Sequence, residues 1–183
     1  TASRKMLYRW EASKASRADL NFTPDGKKLV ICKINDFKTW DIFVCSTIDY
    51  SQKHYSMRGK YPNYLIGSDS ETIYAVESPD DCVVIRELTS GRVIATAEND
   101  WGWTEADVYF SRSGDLAVLS TTRQEGAGGT SAGRFVYECF DLKTGKSLFK
   151  TTEGTDYIGQ VAFSSDGNFV AIHTAGEKIC RLW

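Results

Sequence analysis

The chain has 183 residues, of which 42% are hydrophobic and 25% charged, so it can bury a sizeable core without metals or disulfides, and disordered and fibrous classes are excluded. Twenty-two Lys and Arg against 24 Asp and Glu leave a net charge of -2, without the positive field that a nucleic-acid partner needs. No apolar run reaches the roughly 18 residues of a spanning helix, and TASRKMLYRW is too polar for a secretory signal, so a soluble chain without a membrane partner is expected.

In chain order, residues 4–13 read as a short strand, and MLYRWEAS (6–13) aligns without a gap to SLFKTTEG (147–154). Leu20 and Phe22 then show strand period, and FTPDG (22–26) is a tight turn in which Asp bonds backbone amides and Gly takes positive φ. KKLVICKI (27–34) follows, apolar enough to be buried on both faces, then WDIFVCST (40–47), a turn at 49–53, and the more polar HYSMRG (54–59). The same order recurs after Ile66, Phe110 and Phe163, with second strands ETIYAVES, DLAVLSTT and NFVAIHTA. The anchors 22, 66, 110 and 163 are spaced 44, 44 and 53 apart, and a loop-like segment, RQEGAGGTSAG (123–133), accounts for the longer last interval. Every unit reads as a four-stranded meander.

Four-stranded meanders at a period of 44 predict an all-β β-propeller of four antiparallel blades, at about 19–60, 63–98, 106–153 and 159–183 plus 4–13. The segments FSSDGNFVAIHTAGEKICRLW and FTPDGKKLV resemble the blade core of WD40-like propellers, and Phe140-Asp141 resembles that family's Trp-Asp turn. The resemblance is divergent: no Gly-His dipeptide precedes a first strand, and the Trp-Asp position holds Arg86-Glu87 in one unit. It implies a single propeller domain in which the N-terminal strand completes the C-terminal blade and removes exposed edges. Two other arrangements fit the same repeats: four blades of a larger seven- or eight-bladed propeller, or half of an eight-bladed ring made by two chains.

Catalytic or metal chemistry needs convergent ligands, and the sequence offers few. His54 opens a polar outer strand and reads as a solvated surface residue, whereas His173 takes the position of Cys32, Val76 and Ser120 and reads as a packed histidine. The five cysteines are odd in number, lack a Cys-x-x-Cys pair and mostly sit in apolar runs, which favours buried thiols in a reducing, cytoplasmic compartment. GAGGTSAG lacks the lysine of a phosphate-binding loop, and the glycosylation-like Asn21-Phe22-Thr23 sits in an inner strand, where it is expected to be buried and unmodified. No cofactor is expected.

Two sets of residues stand out. Loops joining each outer strand to the next inner strand carry Tyr61, Trp101, Trp103 and Tyr157, and a second-to-third strand loop on the same propeller face carries Phe37. These rings either cap the blades or form an exposed protein-binding patch. Three residues before each anchor lie Asp19, Asn63, Asp107 and Gln160, a polar ring in the channel-lining strands, which is either hydrated or, through Asp19 and Asp107, able to hold a cation. The leading expectation is a non-catalytic scaffold for a protein or peptide partner. Its rivals are the propeller part of an enzyme or sensor with an axial site, and a structural assembly module that forms one ring as a homodimer.

Overall fold

The computed structural model describes residues 17–36, 38–59, 63–79, 82–98, 107–124, 133–152, 158–174 and 180–182. All the regular structure among these residues is strand, arranged in four antiparallel sheets. The first sheet runs in chain order through β1 (Arg17–Phe22), β2 (Lys28–Ile34), β3 (Thr39–Ser46) and β4 (Gln52–Arg58). The second holds β5 (Tyr64–Ile66), β6 (Ile73–Glu77), β7 (Cys82–Glu87) and β8 (Val93–Glu98). The third holds β9 (Asp107–Phe110), β10 (Leu116–Gln124), β11 (Gly133–Asp141) and β12 (Ser147–Thr152). The fourth shows β13 (Ile158–Phe163), β14 (Val170–Thr174) and β15 (Cys180–Leu182). The strand expected from residues 4–13 lies outside the described residues.

Local chemistry explains where each inner hairpin turns. In the first, the Thr23 hydroxyl and the Lys27 amide both donate to Asp25 Oδ1, at 2.7 and 3.1 Å, and Gly26 adopts φ +70°. The fourth repeats this with Ser164, Asn168 and Gly167, where φ is +72°. In the second hairpin the Gly position is Ser70, which takes φ +62° itself, while Asp69 accepts the Glu71 and Thr72 amides. Tyr50, at φ +61°, does the same in the outer turn where the other units have Gly91 or Gly145. The turn geometry is thus kept even where glycine is not.

Alternation sends the two faces of each sheet to different neighbours. One face, the forward face, packs on the following sheet, and the back face packs on the preceding one. Val30, Cys32, Trp40, Ile42 and Met57 of the first sheet meet Ile73, Ala75 and Leu88 of the second. Val76, Val83, Ile85 and Ile94 of the second meet Val108, Ala117, Leu119 and Phe140 of the third. Val118, Tyr137 and Cys139 of the third meet Ile158, Val170 and Ile172 of the fourth. β6 and β10 therefore lie between two cores and are buried along nearly all of their described length. Two expectations need correction. His173 is exposed rather than packed, because it points from the forward face of the fourth sheet, where no described sheet follows. Asn21 is exposed rather than buried, because the inner strand β1 has one open side.

A glycine contact and a set of turn carboxylates yield the first two predictions. A Cβ on Gly145, at φ +75°, would lie 2.7 Å from the Ile94 carbonyl oxygen of the neighbouring sheet, whereas one on Gly167 would meet nothing within 4 Å. Gly145→Ala should therefore destabilise by more than about 2 kcal/mol and Gly167→Ala by only about 1 kcal/mol, read from urea unfolding midpoints. The Asp25 carboxyl is lowered from its ordinary 3.8 to about 2 by the Thr23 hydroxyl and the Lys27 amide. The Asp166 carboxyl is likewise lowered to about 2, by the Ser164 hydroxyl and the Asn168 amide. A depressed folded-state pKa contributes stability that is present above the unfolded value and lost as pH falls through the folded one. Stability should thus decline between about pH 4 and pH 2, and Asp25→Asn with Asp166→Asn should flatten that decline in midpoints measured across the window.

Candidate functional site

Strand register shows where the connections emerge. Ile34 pairs with both Arg17 and Trp40, and Thr39 pairs with Arg58, so the end of β2, the start of β3 and the end of β4 lie at one edge of the first sheet. Glu77 pairs with Val84 and Cys82 with Glu98, so the end of β6, the start of β7 and the end of β8 lie at the matching edge of the second sheet. In the third, the pairings Gln124–Gly133 and Val136–Thr152 place the end of β10, the start of β11 and the end of β12 likewise. The five aromatic positions expected to bind a partner, Phe37, Tyr61, Trp101, Trp103 and Tyr157, belong to these connections and lie outside the described residues.

The polar ring is described in full. Asp19, Asp107 and Gln160 are exposed and Asn63 is half-buried, each on the innermost strand or at its start. All four alternate onto forward faces, and two of the joints show what they do there. Asp19 Oδ2 accepts from the Tyr64 hydroxyl of the next sheet at 3.0 Å and from Asn21 Nδ2 at 3.1 Å, while Asn21 Nδ2 also donates to the Tyr64 oxygen at 2.6 Å. Asp19 Oδ1 accepts the Leu20 amide at 3.1 Å. Asn63 Nδ2 donates to the Val108 carbonyl of the third sheet at 2.9 Å. Burial pushes the Tyr64 phenol up; the Asn21 bond opposes this and Asp19 reinforces it, so Tyr64 stays protonated and able to donate. The ring residues of the first two sheets thus link neighbouring inner strands. Among the described residues no three His, Cys, Asp or Glu side chains converge as metal ligands.

Back faces carry a second recurring feature. Asp41 and His54 lie 3.1 Å apart in the first sheet, Glu77 and Arg86 3.1 Å apart in the second, and Glu138 and Lys150 2.9 Å apart in the third. In each pair the carboxylate is the shielded member, 13, 17 and 15% exposed respectively, and the base reaches towards solvent. His54 also stacks on Phe43 with ring centroids 4.6 Å apart, so it is more than a solvated surface residue. Burial raises the Asp41 carboxyl, but hydrogen bonds from Asn35, His54 and Ser56 outweigh it and hold the group below its ordinary range.

Comparison with protein-family models and with curated protein sequences gives no match. Solved structures do match. Hydrazine synthase of Kuenenia stuttgartiensis aligns with a TM-score of 0.51 at 16% identity, covering 88% of this chain and 46% of that one. The β-propeller domain of Myceliophteria thermophila Cps50 (Swd1) aligns with a TM-score of 0.50 at 12% identity, covering 90% of this chain and 55% of that one. The fold is that of a β-propeller. The chain spans about half the length of the propeller-containing structures it matches.

The repeat pattern does not reveal Tyr64, Asn21 or the back-face carboxylate–base pairs. Tyr64 stands where the other units have Leu20, Val108 and Val161, so its hydroxyl was hidden among apolar equivalents. A single polar atom in an otherwise apolar column is the signal that could have found it. Tyr64→Phe keeps the ring but removes the donor to Asp19 and the acceptor for Asn21. It should cost about 1 kcal/mol, measured by chemical denaturation, with little change in the far-ultraviolet circular dichroism.

Proposed function

We propose that the chain is a non-catalytic protein-interaction module of divergent WD40-like repeats, whose loop-bearing edge presents Phe37, Tyr61, Trp101, Trp103 and Tyr157 to a protein or peptide partner. The observation that supports this reading is the strand register, in which the described strand ends that flank the outer-to-inner and second-to-third connections lie at one edge in each of the first three sheets. Loops that share one edge of a rigid scaffold can act as a single surface, and their sequences concentrate aromatic residues there. Aromatic side chains supply large contact area with few rotatable bonds, which is why they dominate interface hot spots.

The divergent WD40-like assignment draws on the turns rather than on any sequence relative. Thr23, Asp25 and Gly26, and Ser164, Asp166 and Gly167, perform the same bonding that the repeat pattern anticipates. A cytoplasmic setting belongs to the same proposal. Burial pushes the Cys32 thiol up to about 12, with Asp19 and Asp41 adding to it, and the Cys139 thiol up to about 11. Both sulfurs are buried and protonated, the state of packing residues rather than of disulfide partners.

Trp101 and Trp103 flank Gly102 in the longest of the outer-to-inner connections and are the proposed anchors. Replacing both with alanine should weaken capture of a partner by about 30-fold or more, the loss typical of a hot spot, while circular dichroism and the unfolding midpoint stay close to those of the parent. Equal affinity of parent and double variant for a pulled-down partner, measured by calorimetry, would sink the proposal.

A further inference from the structure

We propose that the hairpin extension formed by the end of β10 and the start of β11 receives an acidic stretch of a peptide partner at its opposed arginines, Arg123 and Arg134. The proposal rests on the reading of the loop edge as a surface for a protein or peptide, and adds the chemistry of what binds there.

Among the described residues, only the third sheet extends in this way. In the first, the last rung between second and third strands, Ile34–Trp40, continues on its two sides to Arg17 and Met57. In the second, the last such rung, Glu77–Val84, continues to Thr96. In the third, β9 stops pairing at Asp107–Ser120 and β12 at Thr152–Val136, and the rungs Thr122–Phe135, Arg123–Arg134 and Gln124–Gly133 run on with two strands alone. The strands that form it, β10 and β11, have 9 residues each, against 5 and 6 for β6 and β7. The extension falls in the interval of 53 residues between anchors, where the other intervals are 44, so the blade itself does not require it.

Phe135 packs against the core between the third and fourth sheets, which holds the extension on its forward side. Alternation then places Arg134, and Arg123 opposite it, on the back face, in line with Leu119 and Phe140. Directly opposed positions have Cβ atoms about 5 Å apart, and like charges set there repel one another. Two arginines on one rung of a two-stranded extension therefore weaken the hairpin by itself, whereas a carboxylate between them is attracted to both and matches the fork of donors that each guanidinium presents. The next acidic side chain along that face, Glu138, is taken by Lys150 at 2.9 Å. Two charges on a chain of net charge -2 supply no field for a nucleic-acid backbone and fall short of the roughly 4–8 basic residues of a lipid-binding segment, which leaves an acidic peptide as the complement.

Fluorescence polarisation of a labelled hexaglutamate peptide on the 183-residue chain should show saturable binding at low salt that weakens as salt is raised. Arg123→Gln with Arg134→Gln should lower that affinity about tenfold or more, and each single variant by a smaller factor, with unchanged circular dichroism. Arg123→Glu with Arg134→Glu should transfer binding from hexaglutamate to hexalysine. Trp101→Ala with Trp103→Ala should leave hexaglutamate binding unchanged, so failure at the arginines and failure of the aromatic anchors are read separately. No saturable binding by the parent chain, or equal affinity of parent and double-glutamine variant, would overturn the proposal. A double-glutamine variant that unfolds at lower urea concentration while binding is unchanged would overturn it too, and would pair the arginines within the chain, with Glu98, Asp100 or Glu105. Equal affinity for a thymidine oligonucleotide of the same charge would replace the acidic peptide with polyanions in general and overturn the assignment.

Discussion

The packing of one sheet face on the next is the constraint from which the rest of the molecule follows. A four-stranded sheet has two large faces and can shield neither by itself, so every second strand must be apolar on both sides to serve two joints at once. That is why β6 and β10, which each serve two joints, place Tyr74 to Val76 and Leu116 to Leu119 in consecutive buried positions. Burial of a Val, Leu or Ile side chain contributes on the order of 2 kcal/mol, and each joint gathers seven or more largely apolar side chains below 9% exposure. The inner hairpins then need only to deliver their strands in register, which the turn carboxylates achieve by accepting backbone amides.

Polar bonds follow the joints instead of competing with them. Lys28 of the first sheet reaches Glu71 and the Ser70 carbonyl of the second, and the Asp25 amide donates to Ser70 Oγ at 3.0 Å. Arg92 of the second sheet donates to the Lys143 carbonyl of the third at 2.9 Å, in the turn whose Gly145 abuts Ile94. Together with Tyr64 and Asn63 near the axis, these bonds fix the angle at which each sheet meets the next, which dispersion between apolar surfaces alone leaves loosely defined. Ser70 shows the coupling most directly: it has the positive φ a turn needs and also accepts a hydrogen bond from the neighbouring turn, a role glycine could not fill.

Much of this was legible because it is local. The period of 44, the alternation of Leu20 with Phe22, and the Asp-Gly turns each depend on a few adjacent residues, and the strands fall where those patterns put them. What escaped depends on which blade follows which. His173 occupies a buried column and is nevertheless exposed, because burial there comes from a neighbouring sheet and not from its own strand. The pairing of Glu77 with Arg86 across β6 and β7, or of Glu138 with Lys150 across β11 and β12, likewise needs cross-strand register. The aromatic connections were legible as composition, and their five aromatic residues lie outside the described ones.

The division between edge and faces bears on how such a chain could be used. Blade joints run through the sheet faces, whereas the connections leave at the strand ends, perpendicular to the packing direction. A partner bound at those strand ends need not displace any of the three cores.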